Sequence, residues 1–306
     1  MAKSVVVLMG GWSSEREVSL VSGAAVAEAL SEAGYETETI DVARDVEGLA
    51  RRLTPRPDVV FNALHGRYGE DGCVQGLLEI LAIPYTHSGV LASALAMDKP
   101  MAKKLYTDVG IRCAEHAVAD RDEVLSGNVM EPPLVIKPLN EGSSVGVRIL
   151  LDDEAVETAR QEDWSFGATV MVERYIAGRE LTVAVIGDRA LGVTEIRPAE
   201  GFYDYEAKYT DGRAQHLVPA PLPPAVYEET ERFAVAAHSA LGCRGVSRAD
   251  LRYDDTKSDP GLVYLLEINT QPGMTPMSLV PELARHAEID FTQLVSWMVE
   301  NASCDG

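Results

Sequence analysis

The sequence predicts a small parallel α/β unit at the amino end, followed by two α+β units, with borders at 1–97, 98–180 and 181–306. Three observations carry this reading. A chain of 306 residues is longer than one ordinary hydrophobic core organises, so it divides into smaller units. Up to residue 97 short β-rich runs alternate with helical stretches, the order that gives parallel strands with helices on their faces. Beyond 98 that alternation is lost, and β-rich runs follow one another with polar loops between them.

Residues 5–9 form a short apolar strand, and Gly10-Gly11 turn the chain into a segment where Val18, Val21, Ala25 and Ala29 recur at helical spacing. Further strands are expected at 38–42 and 59–64, with helices at 47–53 and 72–81. Ligands of such sheets collect beyond the carboxyl ends of the strands. Glu15, after the first strand, and His65, after the third, are therefore expected on one rim. The middle unit opens with helical sequence and continues through a strand ending at Lys137, the loop 140–146 and a β-rich run at 169–174. In the last unit strands are expected at 181–186, 246–253 and 262–268, around a polar, tyrosine-rich stretch at 201–213 of the kind that serves as a lid or binding loop. At the end, Phe291, Leu294, Val295, Met298 and Val299 mark the core face of a helix.

Composition narrows the function. With 46% hydrophobic and 25% charged residues the chain is of average globular type. The opening apolar run is too short for a secretory leader and no stretch is long enough to span a bilayer, so a cytoplasmic protein without membrane partners is expected. Cys73, Cys113, Cys243 and Cys304 lie far apart with no CxxC, which argues against a disulfide framework or structural zinc. A formal charge of -21 repels nucleic acid at long range, so any phosphate must meet a local cluster of lysines and backbone N–H groups.

The chemistry-bearing residues concentrate late in the chain. Arg248 and Asp250 share one face of a strand, and Glu267 and Asn269 share one face of the next, so the two pairs can converge. Oxygen donors without sulfur or imidazole suit Mg²⁺ or Mn²⁺. The same spacing also serves two strands with one solvated face. Lys137 followed by EGSSVG brings positive charge and an unhindered backbone to phosphate oxygens, although a Gly-Ser turn also serves as a plain hairpin. Neither a P-loop nor a GxGxxG fingerprint is present. Lys99 is by itself an ordinary helix-start lysine, His65 a polar loop residue, and Glu15 a first-turn acid.

Taken together, the segments GGWSSEREVSL (10–20), ALHGRYGEDG (63–72), SGVLASALAMDK (88–99), VIKPLNEGSSVG (135–146), FYDYEAKY (202–209), GVSRADL (245–251) and LLEINTQPGMTPMSLVP (265–281) resemble the D-alanine:D-alanine ligases, a branch of the ATP-grasp superfamily. The resemblance implies the ATP-grasp fold and ATP-dependent formation of D-alanyl-D-alanine through an acyl phosphate, for peptidoglycan precursors, by a homodimer with two Mg²⁺ or Mn²⁺.

By the same resemblance Lys99 and Lys137 contact the nucleotide phosphates, Glu173 and Glu180 hold adenine and ribose, and Ser144, Tyr175, Ile176 and Lys208 complete the ATP site. Asp250, Glu267 and Asn269 bind metal. Glu15, linked to Ser143 and Tyr209, holds the first D-alanine's ammonium with His65 nearby. Arg248 and the Gly273 N–H face the developing oxyanion, and Ser278 and Leu279 hold the second carboxylate. Two alternatives stand beside this reading: another ATP-grasp carboxylate–amine ligase with different amino acids, and a non-catalytic nucleotide or amino-acid sensor.

Overall fold

The structure, a computed structural model, describes residues 2–139, 142, 145–198 and 214–305. In the amino-terminal part β1 (Ser4–Gly10) lies between β2 (Glu36–Val42) and β3 (Val59–Asn62), and both neighbours are parallel to it. Alternation along β1 sends Val5 and Val7 to one face and Val6 and Leu8 to the other, and all four are buried. Burial on both faces is why this strand reads as an unbroken apolar run. α1 (Arg16–Glu32) brings Val26 and Leu30 to the first face, while α2 (Val46–Arg52) and α3 (Cys73–Ile80) bring Leu49 and Leu78 to the second. Each such buried aliphatic side chain contributes about 1.5–3 kcal/mol. α1 sits close on β1 because residue 23 is glycine: a Cβ there would lie 2.5 Å from that of Met9.

β3 stops two residues short of the run expected at 59–64. The buried Asn62 accepts a hydrogen bond from the Leu64 N–H at 3.2 Å and donates to the Gly69 carbonyl and to Gln271, which ends the ladder and turns the chain.

α4 (Val90–Met97) and α5 (Lys99–Asp108) follow. A second sheet then takes the order β4-β7-β5-β6, all antiparallel, from β4 (His116–Asp120), β5 (Leu134–Pro138), β6 (Arg148–Leu150) and β7 (Thr169–Arg174). α6 (Arg121–Leu125) and α7 (Asp153–Gln161) close its core around Val124, Leu134, Ile136, Val170 and Val172.

The third sheet has the order β10-β9-β8-β11-β12. It is built from β8 (Arg179–Ile186), β9 (Arg189–Pro198), β10 (Ala214–Leu217), β11 (Val246–Asp254) and β12 (Leu262–Asn269). α8 (Pro224–Ala240) covers one face together with Ala102 and Tyr106 of α5. α9 (Leu279–His286) and α10 (Phe291–Glu300) share a core with both this sheet and the parallel one: Val246, Leu283, Leu294 and Val295 pack in one cluster with Val5, Val7 and Phe61. The face expected for the last helix is the buried one, with Leu294, Val295, Met298 and Val299 inside. The stretch 201–213 lies outside the described residues. Among the described residues all four cysteines are free thiols, and no helix is long and apolar enough to cross a membrane.

Candidate active site

β11 and β12 run antiparallel with Arg248 opposite Asn269 and Asp250 opposite Glu267, so the two polar pairs meet on one face. Ala249, Leu251 and Ile268 point the other way into the core. Arg248 donates from Nε and Nη2 to the two Asp250 oxygens at 2.8 and 2.6 Å, and Thr182 on β8 donates to Asp250 Oδ1 at 2.9 Å. Both side chains are 15% exposed, which rules out the solvated-face reading of these strands. A register shift after Asp250 leaves Leu266 without a partner opposite, and Leu266 and Glu267 both turn into the same cleft.

Lys137 on β5 and Glu173 on β7 come together across the second sheet as a close ion pair, and Lys103 of α5 reaches the other Glu173 oxygen at 2.6 Å. Burial alone would raise the Glu173 carboxyl, but Lys103 and Lys137 draw it down to about 2. Burial would lower Lys137, and Glu173, then Glu267, outweigh it and raise the ammonium. Both groups are therefore charged at neutral pH. They form the floor of a cleft between the second and third sheets, whose walls are the apolar Val135, Ile149 and Leu266 and the segment Tyr175, Ile176 and Glu180, with Lys99 and Asp250 at its rim. A slot of this kind, lined by apolar side chains together with lysines and carboxylates, suits a flat base attached to an anionic tail.

A second cavity adjoins it and shares Lys99, Gly142 and Glu267. Glu15, His65 and Glu70 reach it from the loops after β1 and β3, and Arg248, Asn269 and Gly273 from the far side. The rim expected from the parallel sheet is thus real, yet Glu15 and His65 are only 6% exposed, because the third sheet closes over them. Glu15 occupies the N-cap position of α1 without a side-chain cap bond; its carboxylate is turned to the cavity, 3.2 Å from where a Cβ on Gly142 would be. Burial, with the charge of Arg248 adding to it, lowers His65 to about 4, so the ring is neutral at pH 7. Burial, followed by the nearby Glu15, pushes the Glu70 carboxyl well above the usual range.

The expected residues therefore fall into two groups. Glu15, His65, Lys99, Arg248, Glu267, Asn269 and Gly273 line one cavity, and Lys99, Lys137, Glu173, Tyr175, Ile176, Glu180, Asp250 and Glu267 the other. Ser278 stands behind this lining, its hydroxyl 3.0 Å from a Cβ built on Gly273, and Leu279 is buried against Ile196. Ser143, Ser144, Lys208 and Tyr209 lie outside the described residues. Sequence reasoning missed Glu70 and Lys103. The signal for Lys103 was a charge on the helix face that also carries Ala102 and Tyr106; that for Glu70 was an acid between two glycines just beyond a strand end.

A four-stranded and a five-stranded antiparallel sheet closing on a lysine- and carboxylate-lined slot, beside a parallel α/β unit, define the ATP-grasp class of ligases. Residues 105–300 match the model of the D-ala D-ala ligase C-terminus and residues 46–88 that of the D-ala D-ala ligase N-terminus. The D-alanine–D-alanine ligases of Rhodospirillum rubrum and Paramagnetospirillum magneticum are 58% and 59% identical, with the whole of each chain covered. The crystal structure of the Bacillus anthracis D-alanine–D-alanine ligase complexed with ATP superposes with a TM-score of 0.81 at 34% identity, over 98% of this chain and 97% of that one. The VanG D-Ala:D-Ser ligase of Enterococcus faecalis follows at 0.78 and 29%, over 98% and 99%. The chain belongs to the D-alanine–D-alanine ligase family.

Proposed function

We propose that this chain is an ATP-dependent ligase that joins two D-alanine molecules into D-alanyl-D-alanine for peptidoglycan precursor synthesis. The observation that carries the reading is the meeting of the two cavities at Lys99, Gly142 and Glu267, which supports an anionic tail in one lying beside a small amino acid in the other. Whole-length identity of 58–59% to ligases named for D-alanine favours this substrate over other amino acids.

In this reading a carboxylate oxygen of the first D-alanine attacks the γ-phosphorus of ATP and ADP leaves. The amine of the second then attacks the acyl carbon, loses a proton, and phosphate leaves. Lys99 and Lys137 neutralise the phosphates, and the flat slot beside Tyr175 and Ile176 takes adenine, with Glu173 behind it and Glu180 at the ribose. Glu15 holds the first ammonium beside the neutral His65. Arg248 and the Gly273 N–H stabilise the oxyanion of the tetrahedral intermediate, as fixed donors do where charge develops. Ser278 and the Leu279 N–H receive the second carboxylate. Ser143, Ser144, Lys208 and Tyr209 act on the same substrates. The units 1–97, 98–180 and 181–306 contribute, in turn, the substrate rim, the lysine floor and the carboxylate face.

The donor set fits a hard divalent cation. Asp250 and Glu267 lie directly opposite each other with Asn269 on the same face, and all three offer oxygen only. Among the described residues no three His, Cys, Asp or Glu gather as a self-sufficient metal cage. Two carboxylates and an amide leave coordination sites for nucleotide phosphates, the usual arrangement for Mg²⁺. Arg248 and Thr182 hold the Asp250 carboxylate by three hydrogen bonds and so fix its orientation on this face. When bound, Mg²⁺ or Mn²⁺ would neutralise the phosphate tail. In the same reading the enzyme is a cytoplasmic homodimer.

Incubation with ATP, Mg²⁺ and D-alanine followed by product analysis tests the proposal. D-alanyl-D-alanine, ADP and phosphate are expected in equal amounts. Turnover only with a different amino acid would assign the chain to another carboxylate–amine ligation, and nucleotide binding without ADP formation would make it a sensor.

A further inference from the structure

Arg252 received no role from the sequence, yet its side chain organises one wall of the nucleotide cleft. From β11 it reaches the segment linking β7 to β8. Its Nε donates to the Ile176 carbonyl at 3.2 Å and its Nη2 to the Gly178 carbonyl at 2.9 Å. Nη1 lies 3.4 Å from Glu180 Oε2, and the guanidinium carbon is 6.0 Å from the centre of the Tyr175 ring. The pairing of Arg252 with Glu180 in the β8–β11 ladder fixes the base of the side chain, and the side chain is 14% exposed. Gly178 permits the close approach: its φ is +86°, and a Cβ there would fall 2.2 Å from the Tyr253 carbonyl oxygen. Tyr175, Ile176, Glu180 and Arg252 all line the same cleft.

A short linker between two strands is held only by what its carbonyls and side chains find. Here one planar fork satisfies two carbonyls and a carboxylate while facing an aromatic ring. An ammonium, a point charge with a flexible stem, does not reproduce that geometry. We infer that Arg252 is a positioning residue for the nucleotide: it fixes the β7–β8 linker and the start of β8, residues 175–180, as a preformed wall for base and ribose, and so sets affinity for ATP while taking no part in phosphoryl transfer or amide formation. The benefit is preorganisation, because a wall already in place leaves less ordering to be done when the ligand enters. The inference rests on the nucleotide reading of this cleft.

Arg252→Met keeps the apolar stem and removes the fork. Binding of ADP with Mg²⁺, followed by calorimetry, is expected to weaken on the order of tenfold, the equivalent of about one lost charge-assisted contact. The KM for ATP rises in step, while kcat and the KM for D-alanine stay within about threefold. Arg252→Lys recovers only part of the loss, and should the methionine variant fail to fold, the lysine variant alone carries the comparison. ADP affinity unchanged in the variant that folds would overturn the inference, as would a fall in kcat at constant KM for ATP. A wild-type protein that binds no ADP would instead remove the nucleotide site itself, which separates the two failures.

Discussion

Arg248 and Asp250 stand two residues apart on β11 and are joined by two hydrogen bonds of 2.8 and 2.6 Å. The guanidinium is thereby held in place in the lining of the substrate cavity, to which Gly273 also belongs. Arg248→Ala is expected to lower kcat by about 10²- to 10³-fold, the usual cost of one lost transition-state donor. Arg248→Lys should recover little of it, since an ammonium cannot make the two-pronged contact. Phosphate release under saturating substrates reads the effect, and near-normal turnover in the alanine variant would refute the assigned role.

Glu267 lines both cavities and lies directly opposite Asp250. Glu267→Ala should therefore abolish Mg²⁺-supported turnover while leaving the circular dichroism spectrum and the cooperative unfolding transition in place. Activity that persisted with an unaltered Mg²⁺ dependence would move the metal site elsewhere.

The buried group of Lys103, Glu173 and Lys137 holds two cations around one carboxylate, so its members are not equivalent. Glu173→Ala leaves two buried ammonium groups with no counter-ion between them and should cost about 3–5 kcal/mol of stability. Lys103→Met leaves the balanced Glu173–Lys137 pair and should cost clearly less. Urea unfolding of the two variants decides the order, and a larger loss from the lysine change would contradict the electrostatic account.

Three buried imidazoles fix the sign of the acid response. Burial lowers His65 and His238 to about 4 and His87 to about 3, whereas in an unfolded chain they take up protons near pH 6.5. Between those values the unfolded state binds more protons, so stability is lost as pH falls. Glu70 acts in the opposite sense, because its raised carboxyl keeps a proton that the unfolded chain has released. Between about pH 6 and 5 the three rings together outweigh Glu70, so unfolding takes up protons and stability falls as the solution is acidified. A urea midpoint that stays flat over this range would show that these rings are not held neutral.

Some of this molecule is local and was legible in the sequence. The apolar run of β1, the helical spacing on α1 and α10, and the alternating polar positions of β11 and β12 follow from side-chain periodicity alone, so strand and helix identities and the shared face of Arg248 and Asp250 could be read directly. The resemblance carried by seven motifs supplied the substrate. Periodicity has no access to what packs against a face from a distant part of the chain. Only the tertiary structure closes the third sheet over Glu15 and His65, sets Lys103 of α5 against Glu173 of β7, and shares the core of α9 and α10 between two sheets. It also decides that Arg252 bridges to the β7–β8 linker and that Glu70 is buried beside Glu15, because burial and through-space charge depend on neighbours that sequence distance does not record.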